Sequence, residues 1–156
     1  MSDQPMLVLS LFPGLGFLDK AFEDDGYCVV RGPDPIWGGD VREFHPPAGK
    51  FDGVIGGPPC QAFSTLAPLV RRNGLEPKWG NLIPEFERCV AEAQPDWYVM
   101  ENVRGAPLPV IEGYERWSEL LTDFHLGGNT PRERRISLGL REGLWESIAS
   151  PFSLLE

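Results

Sequence analysis

The sequence predicts an open, mostly parallel α/β sheet, and three observations favour this fold class. Short apolar segments suited to buried strands alternate with amphipathic segments suited to helices. The 156 residues, of which 42% are hydrophobic, correspond to one ordinary domain. The apolar runs are too short to cross a membrane, and the polar first residues do not resemble a signal peptide.

The first 34 residues contain the pattern strand, glycine-rich turn, helix, strand, acid. An apolar run at residues 6–11 leads into the turn at residues 12–16, which we call the glycine turn. The next segment has Phe17, Leu18, Ala21 and Phe22 on one helical face. A strand at residues 27–30 precedes Asp34, about twenty residues past the glycines, which is the layout of a nucleotide-binding βαβ unit.

The rest of the chain continues the alternation of strands and helices. A third strand at residues 51–55 ends abruptly at Gly-Gly-Pro-Pro-Cys. Asn81 predicts the start of a helix that extends through Gln94, with an apolar side for the core. The remaining expected elements are a strand at 97–100, a helix at 114–124 and a strand at 135–140.

Charge and cysteine content narrow the function classes. The net charge of −9 opposes a typical nucleic-acid-binding domain, although residues 131–141 form one basic edge. The three cysteines are odd in number and widely spaced, which argues against a disulfide framework and against a zinc site. This cysteine pattern favours a reducing, cytoplasmic compartment. We expect no bound metal and no membrane association.

The candidate functional residues follow the predicted strands. In parallel α/β sheets, ligands bind at the carboxyl ends of the strands, where the glycine turn, Asp34, Cys60 and Glu101 would meet. The glycines and acids are each equally explained by ordinary turn and loop chemistry. Cys60 is the stronger signal, because two glycines and two prolines before it would present a thiol rigidly at a cleft.

Together these segments resemble the motifs of the DNA cytosine-5 methyltransferase family. SLFPGLGF at residues 10–17 is similar to the cofactor-binding motif. FDGVIGGPPCQAFS at residues 51–64 is similar to the nucleophile motif nearly residue for residue. GGDV at 38–41, ENV at 101–103 and PRERRISLG at 131–139 resemble the adenine-contacting, catalytic-acid and arginine motifs.

The resemblance implies a Rossmann-like, open, mostly parallel sheet of the S-adenosylmethionine-dependent methyltransferase type. It also implies three sets of functional residues. The catalytic set is Cys60, Glu101, Arg132 and Arg134. The cofactor-binding set, for S-adenosyl-L-methionine, is Phe12, Gly14, Leu15, Gly16, Asp34, Asp40, Val41 and Leu82. The nucleic-acid-binding set is Gln61, Ser64, Arg71, Arg72 and Arg135.

The implied reaction is methylation of cytosine C5 in DNA through a covalent adduct. The Cys60 thiolate would add to C6 of a base flipped out of the helix. Glu101 would contact N3 and would need to carry a proton, which burial in the cleft would favour. Arg134 would bind the base carbonyl, Arg132 would hold a phosphate or the loop, and Phe12 would stack on adenine.

The sequence also departs from the family pattern. Ser10 replaces the usual acid, Phe17 replaces a glycine, and Thr130-Pro131 replaces the usual glutamine. The family's target-recognition region is missing, so we expect a single catalytic domain over residues 1–156. Three functions stay open: a DNA methyltransferase, a cofactor-binding pseudoenzyme or partner-dependent subunit, and an RNA cytosine-5 methyltransferase. Target recognition would then need a protein partner or self-association.

Overall fold

The computed structural model describes residues 4–59, Arg72 and residues 80–144. Its helices and strands, in chain order, are β1 (Leu7–Leu11), α1 (Phe17–Asp24), β2 (Cys28–Arg31), β3 (Gly53–Gly56), α2 (Ile83–Ala93), β4 (Trp97–Asn102), β5 (Tyr114–Thr122) and β6 (Glu133–Arg141).

The strands form one sheet in the order β2-β1-β3-β4-β6-β5. The pairs β1–β2, β1–β3 and β3–β4 are parallel, whereas β6 lies antiparallel to both β4 and β5. Five of the six described strands therefore run in one direction. This confirms the predicted open, mostly parallel sheet.

The main apolar core lies between α2 and one face of the sheet. The predicted apolar side of this helix is confirmed, since Ile83, Phe86, Val90 and Ala93 are all buried. Phe86 meets Tyr98 of β4 in an edge-to-face contact with ring centroids 5.9 Å apart. Burying these side chains is the main stabilising contribution on this face.

Helix α1 covers the opposite face. Trp97 precedes Tyr98 in β4 and therefore points to the other side of the sheet, where its ring stacks on Phe22 of α1. The predicted apolar face of α1 is only partly correct, because Phe17 is 79% exposed and Ala21 is also exposed. The fully buried residue of this helix is Asp19.

The helix predicted for residues 114–124 is wrong, since the structure has strand β5 there. Tyr114, Trp117 and Leu121 have helical spacing, but the segment pairs along its whole length with β6. Trp117 lies opposite Leu138, and the Ser118 and Ser137 hydroxyls are 3.1 Å apart across the pair. Tertiary pairing outweighs local periodicity in this segment.

Within the part of the chain that the structure describes, no helix has the length and hydropathy needed to cross a lipid bilayer.

Candidate active site

The carboxyl ends of three neighbouring strands bring the predicted motifs together. In the sheet register, Leu11 of β1 lies beside Gly56 of β3, and Gly56 lies beside Met100 of β4. The glycine turn, the Gly-Pro-Pro loop and Glu101 therefore leave the sheet at one edge. Gly56 is required for this approach, because a Cβ there would lie 2.7 Å from the Leu11 carbonyl oxygen.

The glycine turn has a strained backbone that is tied to Asp34. Phe12, Gly14 and Gly16 have φ angles of 56°, 54° and 78°, in the left-handed region that a bulky residue such as phenylalanine rarely adopts. The Gly14 N–H donates to Asp34 Oδ2 at 2.8 Å, and the Ile36 N–H donates to Asp34 Oδ1 at 2.7 Å. Asp34 thus fixes the turn while only 4% exposed.

A second carboxylate, which the sequence did not single out, lies behind the glycine turn. Asp19 is fully buried; Ser10 Oγ donates to its Oδ1 at 2.5 Å and Arg31 Nε donates to its Oδ2 at 2.8 Å. These contacts join the end of β1, the first turn of α1 and the end of β2. The acid in the first turn of an amphipathic helix was the available signal, but surface helices commonly have one there.

The other predicted cofactor residues differ in exposure. Leu15 is 76% exposed at the turn, whereas Val41 and Leu82 are buried in the apolar core. Asp40 pairs with Arg42, whose hydrogen bonds and charge lower the pKa of Asp40. Trp37, which the sequence analysis passed over, is 72% exposed and donates its indole N–H to the Gly14 carbonyl at 3.3 Å.

The predicted catalytic acid and both predicted arginines meet. Arg134 Nε lies 2.8 Å from Glu101 Oε1, and Arg132 Nη2 lies 3.9 Å from the same oxygen. The Glu101 side chain is 29% exposed. It is therefore ion-paired and partly exposed, whereas the sequence predicted its burial in the cleft. Arg132 and Arg134 form what we call the arginine pair.

The loop that leads to Cys60 is anchored by the second residue of the Glu-Asn-Val motif. Buried Asn102 donates its side-chain N–H to the Pro58 carbonyl at 3.2 Å, two residues before the cysteine. The sequence pattern alone does not assign this role to Asn102. Its position beside Glu101 in a recognised motif was the available signal. The structure does not describe Cys60, Gln61, Ser64 and Arg71, so their predicted roles lie outside the described residues.

Among the described residues, three cavities share Glu101 and Arg132 in their lining. One, of about 160 Å³, lies between Glu101 and the glycine turn and is bordered by Ser10, Phe12 and Asp19. Another, of about 170 Å³, lies between Glu101 and the Pro58-Pro59 loop. The third, of about 310 Å³, extends toward the end of β5 and Asp123. The first two lie on two sides of the Glu101 carboxylate.

Two of the predicted nucleic-acid contacts, Arg135 and Arg72, lie among the described residues. Arg135 is adjacent to Arg134 in β6 and so points to the opposite sheet face, where its Nη2 donates to the Arg104 carbonyl at 3.4 Å. Arg72 is exposed. Among the described residues, no three His, Cys, Asp or Glu side chains are grouped to hold a metal ion.

Comparisons with known proteins agree with the motif pattern. Residues 36–109 match the model of the family described as C-5 cytosine-specific DNA methylase. The type II methyltransferase M.FnuDI of Fusobacterium nucleatum is 32% identical over 89% of this chain and 48% of its own length. M.AquIA of Picosynechococcus is 37% identical over 63% of this chain and 48% of its own length. The chain thus spans about half the length of these two curated relatives.

Solved structures share the fold. The Spodoptera frugiperda DNMT2 mutant matches 89% of this chain and 51% of its own chain with a TM-score of 0.64 and 17% identity. The Entamoeba histolytica methyltransferase EhMeth matches 88% of this chain and 53% of its own with a TM-score of 0.60 and 12% identity. At these identities the likeness concerns the Rossmann-like methyltransferase fold alone.

Proposed function

Because the chain belongs to the C-5 cytosine-specific DNA methylase family, we propose that it methylates cytosine C5 in DNA through a covalent adduct at Cys60. The observation that carries the proposal is the meeting of Glu101 and the arginine pair beside the loop that leads to Cys60. This chain spans about half the length of these relatives, so the activity of a whole methyltransferase is part of the proposal.

The glycine turn suits the proposed donor, S-adenosylmethionine, which supplies an electrophilic methyl group when it is bound. Each Asp34 carboxylate oxygen accepts one backbone N–H and keeps a lone pair for a ribose hydroxyl. The exposed side chains of Leu15, Ile36 and Trp37 offer apolar surface for a purine. The cavity between the turn and Glu101 would orient the methionine end toward the base.

Cys60 is the proposed nucleophile. Its thiolate attacks C6 of the cytosine, forming a carbon–sulfur bond and moving an electron pair through the ring toward N3. The resulting enamine makes C5 nucleophilic, so that C5 would form a bond to the methyl group while the bond from methyl to the donor's sulfur breaks and S-adenosylhomocysteine leaves. Loss of the C5 proton to a base then breaks the bond between C6 and sulfur and returns the thiolate.

Glu101 and Arg134 are proposed to hold the base during this addition. After its carboxylate takes up a proton from water, Glu101 donates that proton or a hydrogen bond to N3, which offsets the negative charge that develops there. In the free protein its carboxylate is paired with Arg134. An entering base would take over part of this pairing, with the Arg134 guanidinium turned toward the base carbonyl oxygen.

A partner-dependent subunit is the second candidate. One observation favours it: the net charge of −9, which weakens encounter with DNA. Under this proposal a second protein chain or self-association supplies target recognition. The cysteine pattern supports a cytoplasmic location for either candidate.

Trapping the covalent adduct tests the proposed chemistry. A 5-fluorocytosine oligonucleotide with S-adenosylmethionine should give a denaturant-resistant complex, because fluorine does not leave as a proton does. Cys60→Ser should abolish the complex. Cys28→Ser is the matched control, since Cys28 is an exposed cysteine on β2, and it should leave trapping intact. A complex that persists in Cys60→Ser would contradict the assignment.

Methyl transfer to different substrates separates the candidates. In assays of tritiated methyl transfer, we expect more methyl incorporation into DNA duplexes than into RNA. Activity confined to RNA would show that the substrate is RNA and not DNA. We expect weak, strongly salt-dependent binding and scattered cytosine methylation by the isolated chain. Methylation of one strict motif by a demonstrated monomer would contradict the need for a partner. Activity only after a partner chain is added would support the second candidate.

A further inference from the structure

The hairpin end between β5 and β6 is organised around Asp123, which the proposed mechanism does not use. The Thr130 N–H and hydroxyl donate to Asp123 Oδ2 at 3.0 and 2.6 Å. The Gly128 N–H donates to the Asp123 carbonyl at 2.8 Å. A Cβ at Gly128 would overlap the Asp123 carboxyl group, so the close approach depends on glycine.

Asp123 also holds the backbone of Arg132. The Asp123 N–H donates to the Arg132 carbonyl at 2.9 Å, which joins the start of the loop to its end. The Arg132 side chain is 62% exposed, and its 3.9 Å approach to Glu101 is too long for a hydrogen bond. The position of this guanidinium therefore depends on its backbone more than on contacts of its own.

Charge around Asp123 fits this arrangement. Hydrogen bonds from Thr130, with a smaller contribution from the charge of Arg132, lower the pKa of Asp123 below its ordinary value. The carboxylate is thus ionised at neutral pH and accepts the Thr130 hydrogen bonds in its stronger, charged form. Asp123, Glu101 and the arginine pair also border the same 310 Å³ cavity.

We propose that Asp123 is a positioning residue that fixes the backbone of Arg132 so that its guanidinium faces the nucleic acid beside Glu101. The nucleic-acid part of this inference rests on the proposed function. Thr130 is the partner through which Asp123 closes the loop, at the position where the sequence departs from the family's usual glutamine.

A positioning role and a purely electrostatic role of Asp123 predict opposite changes in DNA affinity when the side chain is removed. An acid beside a phosphate site repels DNA, so removing it would strengthen binding if charge alone mattered. If Asp123 positions Arg132, its removal weakens binding although a negative charge is lost. Asparagine separates the two further, because it is neutral but keeps an acceptor oxygen for Thr130.

The test measures DNA-duplex binding to the full chain by fluorescence anisotropy over a salt series. Asp123→Ala should weaken binding by about tenfold and reduce the salt slope by about one. Asp123→Asn should stay within about threefold of the wild type. Thr130→Val should weaken binding by about two- to threefold, and the matched Thr130→Ser should not. Equal or tighter binding by Asp123→Ala would overturn the proposal.

Hydrogen exchange tests whether Asp123 holds the loop, and this measurement does not depend on DNA binding. In Asp123→Ala, the amides of Asp123 and Thr130 should lose protection while those of β1 to β4 keep it. Unchanged protection would also overturn the proposal. If the wild type bound no DNA, the proposed function would fail, and exchange would still decide whether Asp123 holds the loop. If Asp123→Ala does not fold, Thr130→Val is used instead for both the DNA-binding and the hydrogen-exchange measurements.

Discussion

The glycine turn after β1 and the arginine pair at the start of β6 both border Glu101, but different forces hold them in place. The turn is held by buried acids that bond to backbone or to neighbouring elements: Asp34 to two N–H groups and Asp19 to Ser10 and Arg31. The arginine pair is held by partly exposed ion pairs and by a hairpin loop.

Because of this difference, substitutions on the two sides of the site should have different effects, on stability in one case and on activity in the other. Buried polar groups that lose a partner destabilise the fold, whereas exposed ion pairs contribute little to stability. The turn side is therefore held rigidly, and under the proposed function changes there should act through folding and cofactor affinity. The arginine side is adjustable, so changes there should act on the bound base with little effect on folding.

The largest expected effect is on the arginine side. Glu101→Gln should lower kcat for methyl transfer by about 10²- to 10⁴-fold, because the proposed proton donor to N3 is lost. Thermal unfolding and cofactor binding by calorimetry should change little. Glu119→Gln, an exposed acid on β5, is the matched control and should keep full activity. Equal kcat in both variants would contradict the proposed role of Glu101 in methyl transfer.

A smaller effect, on stability, is expected behind the turn. Asp19→Asn should lower the free energy of unfolding by about 1–3 kcal/mol, because a buried charged acceptor for Ser10 and Arg31 is lost. Denaturant unfolding measures this change. The control is Asp24→Asn on the same helix, whose 63% exposed side chain pairs with Lys20 and should shift stability by less than about 1 kcal/mol. Similar losses in both variants would contradict the distinction between buried and exposed acids.

Asp34 should affect both stability and binding. Asp34→Ala removes two hydrogen bonds to backbone N–H groups and should cost about 1–2 kcal/mol of stability, as loss of a capping side chain does. Calorimetry should also show weaker binding of S-adenosylhomocysteine. Asp25→Ala, an exposed acid after α1, should leave that affinity unchanged. Undiminished affinity in Asp34→Ala would remove the ribose contact from the proposal.

The smallest effect is expected in the core, away from both regions. The buried Tyr98 hydroxyl has no hydrogen-bond partner among the described residues, and burial raises the pKa of Tyr98 to about 12. Tyr98→Phe should leave stability at neutral pH unchanged or raise it by up to about 1 kcal/mol.

The pH dependence checks the same residue. A folded pKa above the ordinary value of 10.0 means that the wild type loses stability as pH rises from about 10 through about 12. Tyr98→Phe should lose less over this range in denaturant melts at each pH. An equal alkaline loss in both proteins would show that Tyr98 does not titrate there.

The parallel part of the sheet could be predicted from the amino-acid sequence alone. Strand β1, the glycine turn and the buried side of α2 follow from local rules, because apolar periodicity, glycine spacing and capping act over a few residues. The edge at which these motifs meet follows from parallel strand direction.

Features that depend on contacts between residues far apart in the chain could not be predicted from local sequence patterns. Strand β5 has the periodicity of a helix and becomes a strand because β6 pairs with it along its length. Asp19 has the sequence context of a surface acid and becomes buried because Ser10 and Arg31 converge on it from two strands. The insertion of antiparallel β6 between β4 and β5 brings the arginine pair to Glu101. Local patterns do not encode such pairings, because their free energy comes from contacts between residues far apart in the chain.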